Sequence, residues 1–375
     1  MTNNLSRTPA ISVLMSVYNH EKYVSEAIES VLSQTFRDFE LIILDNGSRD
    51  RSSEIIKGYK DDRIIFLTET ENKSAYWGVE RCFNTSKGKY IAFIGSDDVW
   101  HGSKLEKQLG YIEKNPNIGM IFTEAATINS EGKRLDGSPF VSSELNMSRH
   151  AWLRHFFFFS NCVCWPSCMM ERSLKPPSSH SDARFKQLGD LYLWTTSLQK
   201  KNIYIFPEVL TYYRQHGGNE SNKEGDKVYN RGCVESYYIL NLYKTIPATE
   251  LKVVFPELNC INNLNESNKL YYLAKMAIEK YPDSINANSR KLFGVLALFD
   301  LYSDPDVVRE LELTEQFGLD QFYSVMSTSI TFLRETRSSF LEQADKVSSK
   351  FLIMALFDKI KKKLGYNSRK KSMDT

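Results

Sequence analysis

The first hundred residues alternate short, almost wholly apolar runs with amphipathic stretches, and this alternation constrains the fold more than any other feature. Ile11-Ser-Val-Leu-Met-Ser-Val17 is the pattern of a strand covered on both faces. Tyr23, Ala27, Ile28, Val31 and Leu32 recur at helical spacing, which predicts a helix over Lys22–Gln34. Phe39–Leu44 reads as a second buried strand, ending in the turn Asp45-Asn46-Gly47-Ser48. A helix from about Asp50 to Tyr59, a strand Ile64–Leu67 and a helix near Tyr76–Thr85 follow. Tyr90–Ile94 is a fourth strand, ending at Gly95-Ser96-Asp97-Asp98. Such alternation argues for an α/β fold with a mostly parallel sheet flanked by helices. Ligands in these sheets bind beyond the carboxyl ends of the strands. Three polar turns fall there: Tyr18-Asn19, Asp45–Ser48 and Ser96–Asp98.

From Leu105 to about Tyr213 the pattern is mixed: a helix to Lys114, a strand Ile118–Phe122, turn residues Asn129–Gly132 and an aromatic segment Trp152–Phe159. A helix from Asp190 to Lys201 and strands near Ile203–Phe206 and Val209–Tyr213 close this part. Gly217-Gly218 and the polar run to Lys227 set a domain boundary near residue 225, so the expected division is 1–225 and a helical 226–375. The net charge of +2 excludes a global field for nucleic acid. Residues 350–375 alone carry 8 Lys/Arg against 2 Asp/Glu, so the positive charge belongs to the tail. There Phe351, Leu352, Ala355, Leu356 and Ile360 share one helical face beside Lys359 and Lys361–Lys363. That pattern suits a helix lying on an anionic membrane, and equally a terminal helix packed on the helical domain. No apolar run reaches the roughly 20 residues of a membrane span, and MTNNLSRTPA is no signal peptide, so a cytoplasmic location is expected. Cys162, Cys164 and Cys168 lack a zinc-ligand spacing and read as core thiols.

Asp97-Asp98 is the first constellation that carries chemistry. Two adjacent acids at the end of a buried strand cost stability unless a positive or hydrogen-bonding group faces them. A hard divalent cation that also takes substrate phosphates is one such partner, and a helix N-cap near Gly102 is the other reading. Asp45 carries the same ambiguity, because the turn alone explains Gly47.

Ile11–Asp50 resembles the opening of family 2 glycosyltransferases of the GT-A fold, with a strand ending in P-x-Y-N, then S-V-L-x-Q-T, then a strand ending in D-D-G-S-x-D. GKYIAFIGSDDVWHGSKLEKQL is similar to the family's later D-x-D-D segment and K-L-E-x-Q helix. The resemblance is specific over about residues 9–125 and looser to about 222. It implies a GT-A nucleotide-diphospho-sugar transferase fold and an inverting, metal-dependent transfer of a sugar to a glycan, in cell-surface polysaccharide assembly.

The resemblance also implies roles. Tyr18 stacks on the nucleobase, while Asp45 and Asn46 contact base and ribose. Asn46 replaces an acid, which keeps pyrimidine binding and loosens the choice among UDP and dTDP donors. Asp97 holds the ribose and Asp98 the Mn²⁺ or Mg²⁺ ion. Ser16 stands where many members carry proline, and Gly95 where many carry a further acid. Gly189-Asp190-Leu-Tyr-Leu-Trp194 is similar to the family segment whose aspartate is the catalytic base, so Asp190 takes the acceptor proton; an N-cap is its structural alternative. Tyr213-Arg214-Gln-His216-Gly-Gly-Asn219-Glu-Ser221 resembles the stretch that meets the diphosphate through Arg214 and His216, with Gly217-Gly218 as the hinge of a lid. Arg81, in the helix before the fourth strand, is a further candidate for donor contact. Members that extend lipid-linked glycans at the inner face of bacterial membranes make the tail's membrane reading attractive. A glycan- or nucleotide-binding module without turnover is the alternative function, kept open by Asn46 and Gly95.

Overall fold

In the computed structural model, residues 8–175, 185–219, 226–284 and 286–327 are described. The chain divides into two compact units, Met1–Asn259 with Ser284–Asn286, and Cys260–Asp283 with Ala287–Thr375. The boundary read from the sequence near residue 225 therefore falls inside the first unit. The basic tail from residue 350, and with it the membrane expectation, lies outside the described residues. Among the described residues no helix is long and apolar enough to cross a membrane.

The first unit runs β1 (Ile11–Val17), α1 (Val24–Leu32), β2 (Phe39–Asn46), α2 (Ser52–Gly58), β3 (Ile64–Glu69), α3 (Ala75–Thr85), β4 (Tyr90–Gly95), β5 (Val99–Trp100) and α4 (Lys104–Lys114). It continues with β6 (Ile118–Ile128), α5 (Arg149–Phe159), β7 (Met169–Glu171), α6 (Gly189–Leu198), β8 (Asn202–Arg214), α7 (Asp226–Leu240) and α8 (Ala248–Val254). The eight strands form one sheet in the order β3-β2-β1-β4-β7-β6-β8-β5. Parallel pairing joins β3, β2, β1 and β4, and also β6 and β8. Strands β7 and β5 pair antiparallel. The mixed, mostly parallel sheet is the one the alternation implied. The two expected strands near Ile203 and Val209 are one strand, β8, whose register against β6 slips on either side of Glu124, where the partner passes from Phe206 to Val209 past Pro207. Proline supplies no ladder donor, which fits a break there. Strands β5 and β7 are two and three residues long, too short for any periodicity to reveal.

Apolar alternation explains the layers. Ile11, Val13, Met15 and Val17 of β1 meet Val24, Ala27, Ile28 and Val31 of α1 in the main core, all fully buried. Each of the larger side chains contributes about 1.5–3 kcal/mol by leaving water. On the other face α3 approaches so closely that a Cβ on Gly78 would lie 2.1 Å from the Ser16 hydroxyl oxygen. Two motif glutamines fasten these layers. Gln34 Nε2 donates to the His101 carbonyl (2.8 Å) and its Oε1 accepts from Leu105 N–H (3.0 Å), which ties the end of α1 to the start of α4. Gln108 Nε2 donates to the carbonyls of Ile121 and Ser167, each at 2.9 Å.

The second unit holds α9 (Lys269–Glu279), α10 (Ala287–Leu301) and α11 (Pro305–Glu315). Arg290 of α10 is buried and donates to the carbonyls of Ala277, Lys280 and Tyr281, at and just past the end of α9.

At the end of β8, Arg214 binds the site-bearing loops together. Its side chain is 1% exposed. Nε donates to the Asp97 carbonyl (2.7 Å), Nη1 to the Asn129 carbonyl (3.1 Å), and Nη2 to the Glu26 carboxylate of α1. Its own backbone N–H donates to Asp98 Oδ1 at 2.8 Å. A lysine offers a point charge and cannot serve three directions with a planar fork. Arg214→Lys is therefore expected to cost about 3 kcal/mol or more, because buried carbonyls lose their donors. Urea unfolding of the purified variant measures this; an unchanged midpoint would show that the loops hold without the fork.

Candidate active site

The parallel strands β1, β4 and β8 end on the same edge of the sheet, and the loops leaving them bring His20, Asp97 and His216 together. His216 Nε2 lies 3.0 Å from Asp97 Oδ2, and its Nδ1 accepts from Gly218 N–H at 3.1 Å. Asn219 Nδ2 donates to the same carboxylate oxygen at 3.2 Å. The His20 ring meets that of His216 edge-on, with centroids 5.6 Å apart. One ligand-capable atom from each of the three residues lies within 4.8 Å of the others. Tyr23 stacks on the His216 ring at 4.7 Å and carries the Arg214 guanidinium on its face at 5.1 Å. Burial lowers the pKa of His20 against the opposing pull of Asp97, so its imidazole favours the neutral, ligating form.

The adjacent carboxylates have different settings. Asp97 faces the histidines, whereas Asp98 is 3% exposed and accepts from the Arg214 backbone. Burial, and then the charge of Asp97, pushes the Asp98 pKa well up. Gly95 fits this arrangement: a Cβ there would stand 2.4 Å from Asp98 Oδ2 and 2.8 Å from Asp97 Oδ1. A larger residue would have to displace both acids.

Other residues singled out in the sequence have structural employment. Arg214, expected against the diphosphate, spends its fork on the loops described above. Asn46 is 1% exposed and clasps the segment after β3: Nδ2 donates to Asn72 Oδ1 (3.2 Å) and the Lys73 carbonyl (3.0 Å), and Oδ1 accepts from Lys73 N–H (3.2 Å). The amide expected on a pyrimidine is thus bound to the chain itself. Asp45 Oδ1 accepts from Ser48 N–H at 3.0 Å and braces the turn around Gly47, whose φ is +76°. Ser16 packs beneath Gly78. Arg81 pairs with Glu69 at 3.6 Å, and no hydrogen bond or ion pair joins it to the Asp97 group among the described residues. Tyr18 is half-buried at the end of β1.

Asp190 opens α6, which leads back to the start of β8, so its first turn lies at the edge where the parallel strands end. The residue is 9% exposed. Oδ1 accepts from Leu191 N–H and Oδ2 from Asn161 Nδ2, each at 2.7 Å. Burial raises its pKa to about 6, with the Leu191 bond pulling the other way. Tyr76 stands beside it and donates to the Gln187 carbonyl at 3.2 Å. A cleft adjoins this turn, lined by Tyr76, Phe93, Trp165, Gly189, Tyr192 and other mostly apolar residues. Sequence reasoning missed two groups that hold this turn. Asn161 carries no periodic signal. Glu235 of α7 lies in a region the motifs do not reach, yet its buried carboxylate accepts from the backbone N–H groups of Lys186, Gln187 and Leu188 at 2.8–2.9 Å.

Comparison with known proteins identifies the family and the fold. Residues 12–173 match the model of glycosyl transferase family 2. The chain is 32% identical over 213 residues to an uncharacterized glycosyltransferase of Methanocaldococcus jannaschii, covering 55% of this chain and 71% of that one. It is 29% identical to the UDP-Glc:alpha-D-GlcNAc-diphosphoundecaprenol beta-1,3-glucosyltransferase WfgD of Escherichia coli, covering 52% and 71%. Against a glycosyltransferase of Rickettsia bellii the identity is 38%, but the chain spans only 34% of that protein's length. The structure of S. aureus TarS 1–349 in complex with UDP-GlcNAc superposes with a TM-score of 0.50 at 17% identity, over 87% of this chain and 92% of that one. The chain belongs to glycosyl transferase family 2 and is a glycosyltransferase with the GT-A fold.

Proposed function

We propose that the protein transfers a sugar, with inversion, from a nucleotide-diphosphate donor to a hydroxyl of a glycan acceptor in cell-surface polysaccharide assembly, Asp190 being the general base. The setting of Asp190 carries the reading: a carboxylate raised to about 6, oriented by Asn161 and its own helix, beside an aromatic-lined cleft. A base with a pKa close to neutral combines the deprotonated form with useful basicity. A lipid-linked glycan is the acceptor class suggested by the printed activity of WfgD. A UDP or dTDP donor is the companion proposal, supported by the TarS complex and the WfgD name.

The residues present fit a divalent cation, since Asp97 and His216 offer an oxygen and a nitrogen at one point on the strand edge. We assign the ion to Asp97 rather than Asp98, whose carboxylate is buried against β8. When bound, such an ion offsets the charge that develops on the leaving diphosphate. The chain's own part is to hold the acceptor hydroxyl at Asp190, which removes its proton as the oxygen attacks the anomeric carbon opposite the diphosphate. Tyr76 and Trp165 line the cleft beside Asp190.

Three measurements test this. Purified protein with Mn²⁺ and a panel of nucleotide sugars should hydrolyse one donor slowly, releasing the nucleoside diphosphate without acceptor; if calorimetry also finds no binding of UDP, dTDP, GDP or CDP, the transferase reading fails. Donor binding without turnover, even with acceptor glycans, would favour the binding-module alternative.

Asp97→Asn should abolish metal-dependent donor binding while Asp98→Asn retains it; the reverse order would restore the ion to Asp98.

With an acceptor in hand, kcat/KM should rise about tenfold per pH unit up to about 6 and level off above, because only the ionised Asp190 accepts a proton. Asp190→Asn should lose roughly 10²–10⁴-fold and the limb itself. Asn161→Ala withdraws a bond to the charged carboxylate and should move the limb to higher pH.

A further inference from the structure

We propose that His20 is a third metal ligand, and that the set His20, Asp97 and His216 selects a divalent transition-metal ion over Mg²⁺. This rests on the donor-site reading above and extends it to a residue outside the motifs and to the identity of the ion. The three residues arrive on separate loops, yet one ligand-capable atom of each lies within 4.8 Å of the others. Metal–nitrogen and metal–oxygen bonds of about 2.0–2.2 Å require ligand separations of roughly 3–4 Å, so shortening the separations by at most about 2 Å seats an ion.

The His20 ring is held in place before any ion arrives. Asn19 takes a left-handed φ of 54°, which turns the chain sharply after β1. Its N–H donates to Ser48 Oγ (3.0 Å), His20 N–H to Ser52 Oγ (2.9 Å) and Glu21 N–H to Asp50 Oδ2 (2.9 Å). Arg49 N–H donates back to Asn19 Oδ1 at 2.8 Å. The loop is therefore stapled along its length to the segment between β2 and α2. His20 Nδ1 lies 2.7 Å from Ser96 Oγ, on the residue next to Asp97. When Nδ1 carries the ring hydrogen and donates it to Ser96, Nε2 is left as a bare lone pair. This is the outer-shell bond that fixes the tautomer of ligating histidines.

His216 adapts where His20 is fixed. In this structure its Nδ1 accepts from Gly218, so Nε2 carries the hydrogen toward Asp97. Ligation through Nε2 moves that hydrogen to Nδ1 and releases Gly218 N–H, a small shift at two exposed glycines.

Two imidazoles and one carboxylate are a poor set for Mg²⁺, which prefers oxygen ligands and keeps its waters. The same set is that of two-histidine, one-carboxylate sites, which leave positions open for exogenous ligands and take first-row transition ions. With one protein charge of −1, the bound ion keeps a net +1 toward a diphosphate.

The test uses the full chain, stripped with a chelator and titrated with Co²⁺ while the visible d–d absorption is followed. The parent should bind Co²⁺ without nucleotide and bind Mg²⁺ at least about tenfold more weakly in competition. His20→Ala should weaken Co²⁺ by roughly tenfold to a hundredfold and change the absorption band, with the circular dichroism spectrum unchanged. Ser96→Ala, which leaves all three ligands, should give a smaller loss. Co²⁺ binding in His20→Ala equal to the parent, or equal competition by Mg²⁺, would overturn the proposal. UDP calorimetry in excess Mg²⁺ separates the two readings: if UDP binds while His20→Ala is silent toward Co²⁺, only the third ligand is lost, whereas failure of UDP with every ion removes the donor site itself.

Discussion

The buried guanidinium of Arg214 is the constraint on which the site depends. A parallel sheet delivers its strand ends to one edge, but it does not fix the loops that leave them. Arg214 closes that gap by donating to carbonyls after β4 and β6 and to a carboxylate on α1, while its backbone N–H holds Asp98. Asp97 and His216 are then neighbours because both flank groups fixed by the same residue. A charge buried to this extent is tolerated because its donors meet carbonyls and a carboxylate. It explains why an arginine that the motif places near the diphosphate has so little left to offer a ligand.

Two carboxylates of the site do different work because their surroundings differ. Asp97 is partly open and looks onto imidazoles. Asp190 is buried and its pKa rises to about 6, which suits an acid that exchanges protons. The second setting depends on parts distant in sequence. Asn161 donates to the carboxylate, and Glu235 accepts three backbone N–H groups just upstream of α6. The segment entering the helix is thereby fixed, and Asp190 inherits its position from it.

The parallel half of the sheet was legible because doubly covered strands must be apolar throughout, and Ile11–Val17 and Phe39–Leu44 are. The motif residues were legible as places but less so as roles. Gln34 and Gln108 sit in the quoted family segments and prove to be fasteners between layers. Asn46 sits in the base-contacting pair and clasps its own chain. Recurrence of a residue in a motif does not distinguish a ligand contact from a backbone contact; only the partner does. Strands β5 and β7 escaped because two or three residues hold no period, and His20 escaped because nothing in its neighbours marks it.

The departures at Gly95 and Asn46 bear on each other through charge. Each replaces an acid of the family pattern with a neutral residue, and an acid at 95 would collide with Asp97 and Asp98 as they stand. The strand edge thus presents one open carboxylate and two imidazoles where the pattern would supply further acids. An anion approaching this edge would meet less repulsion than at an edge carrying those further acids. The substitutions that looked like erosion of a site therefore fit a site rebuilt around nitrogen ligands.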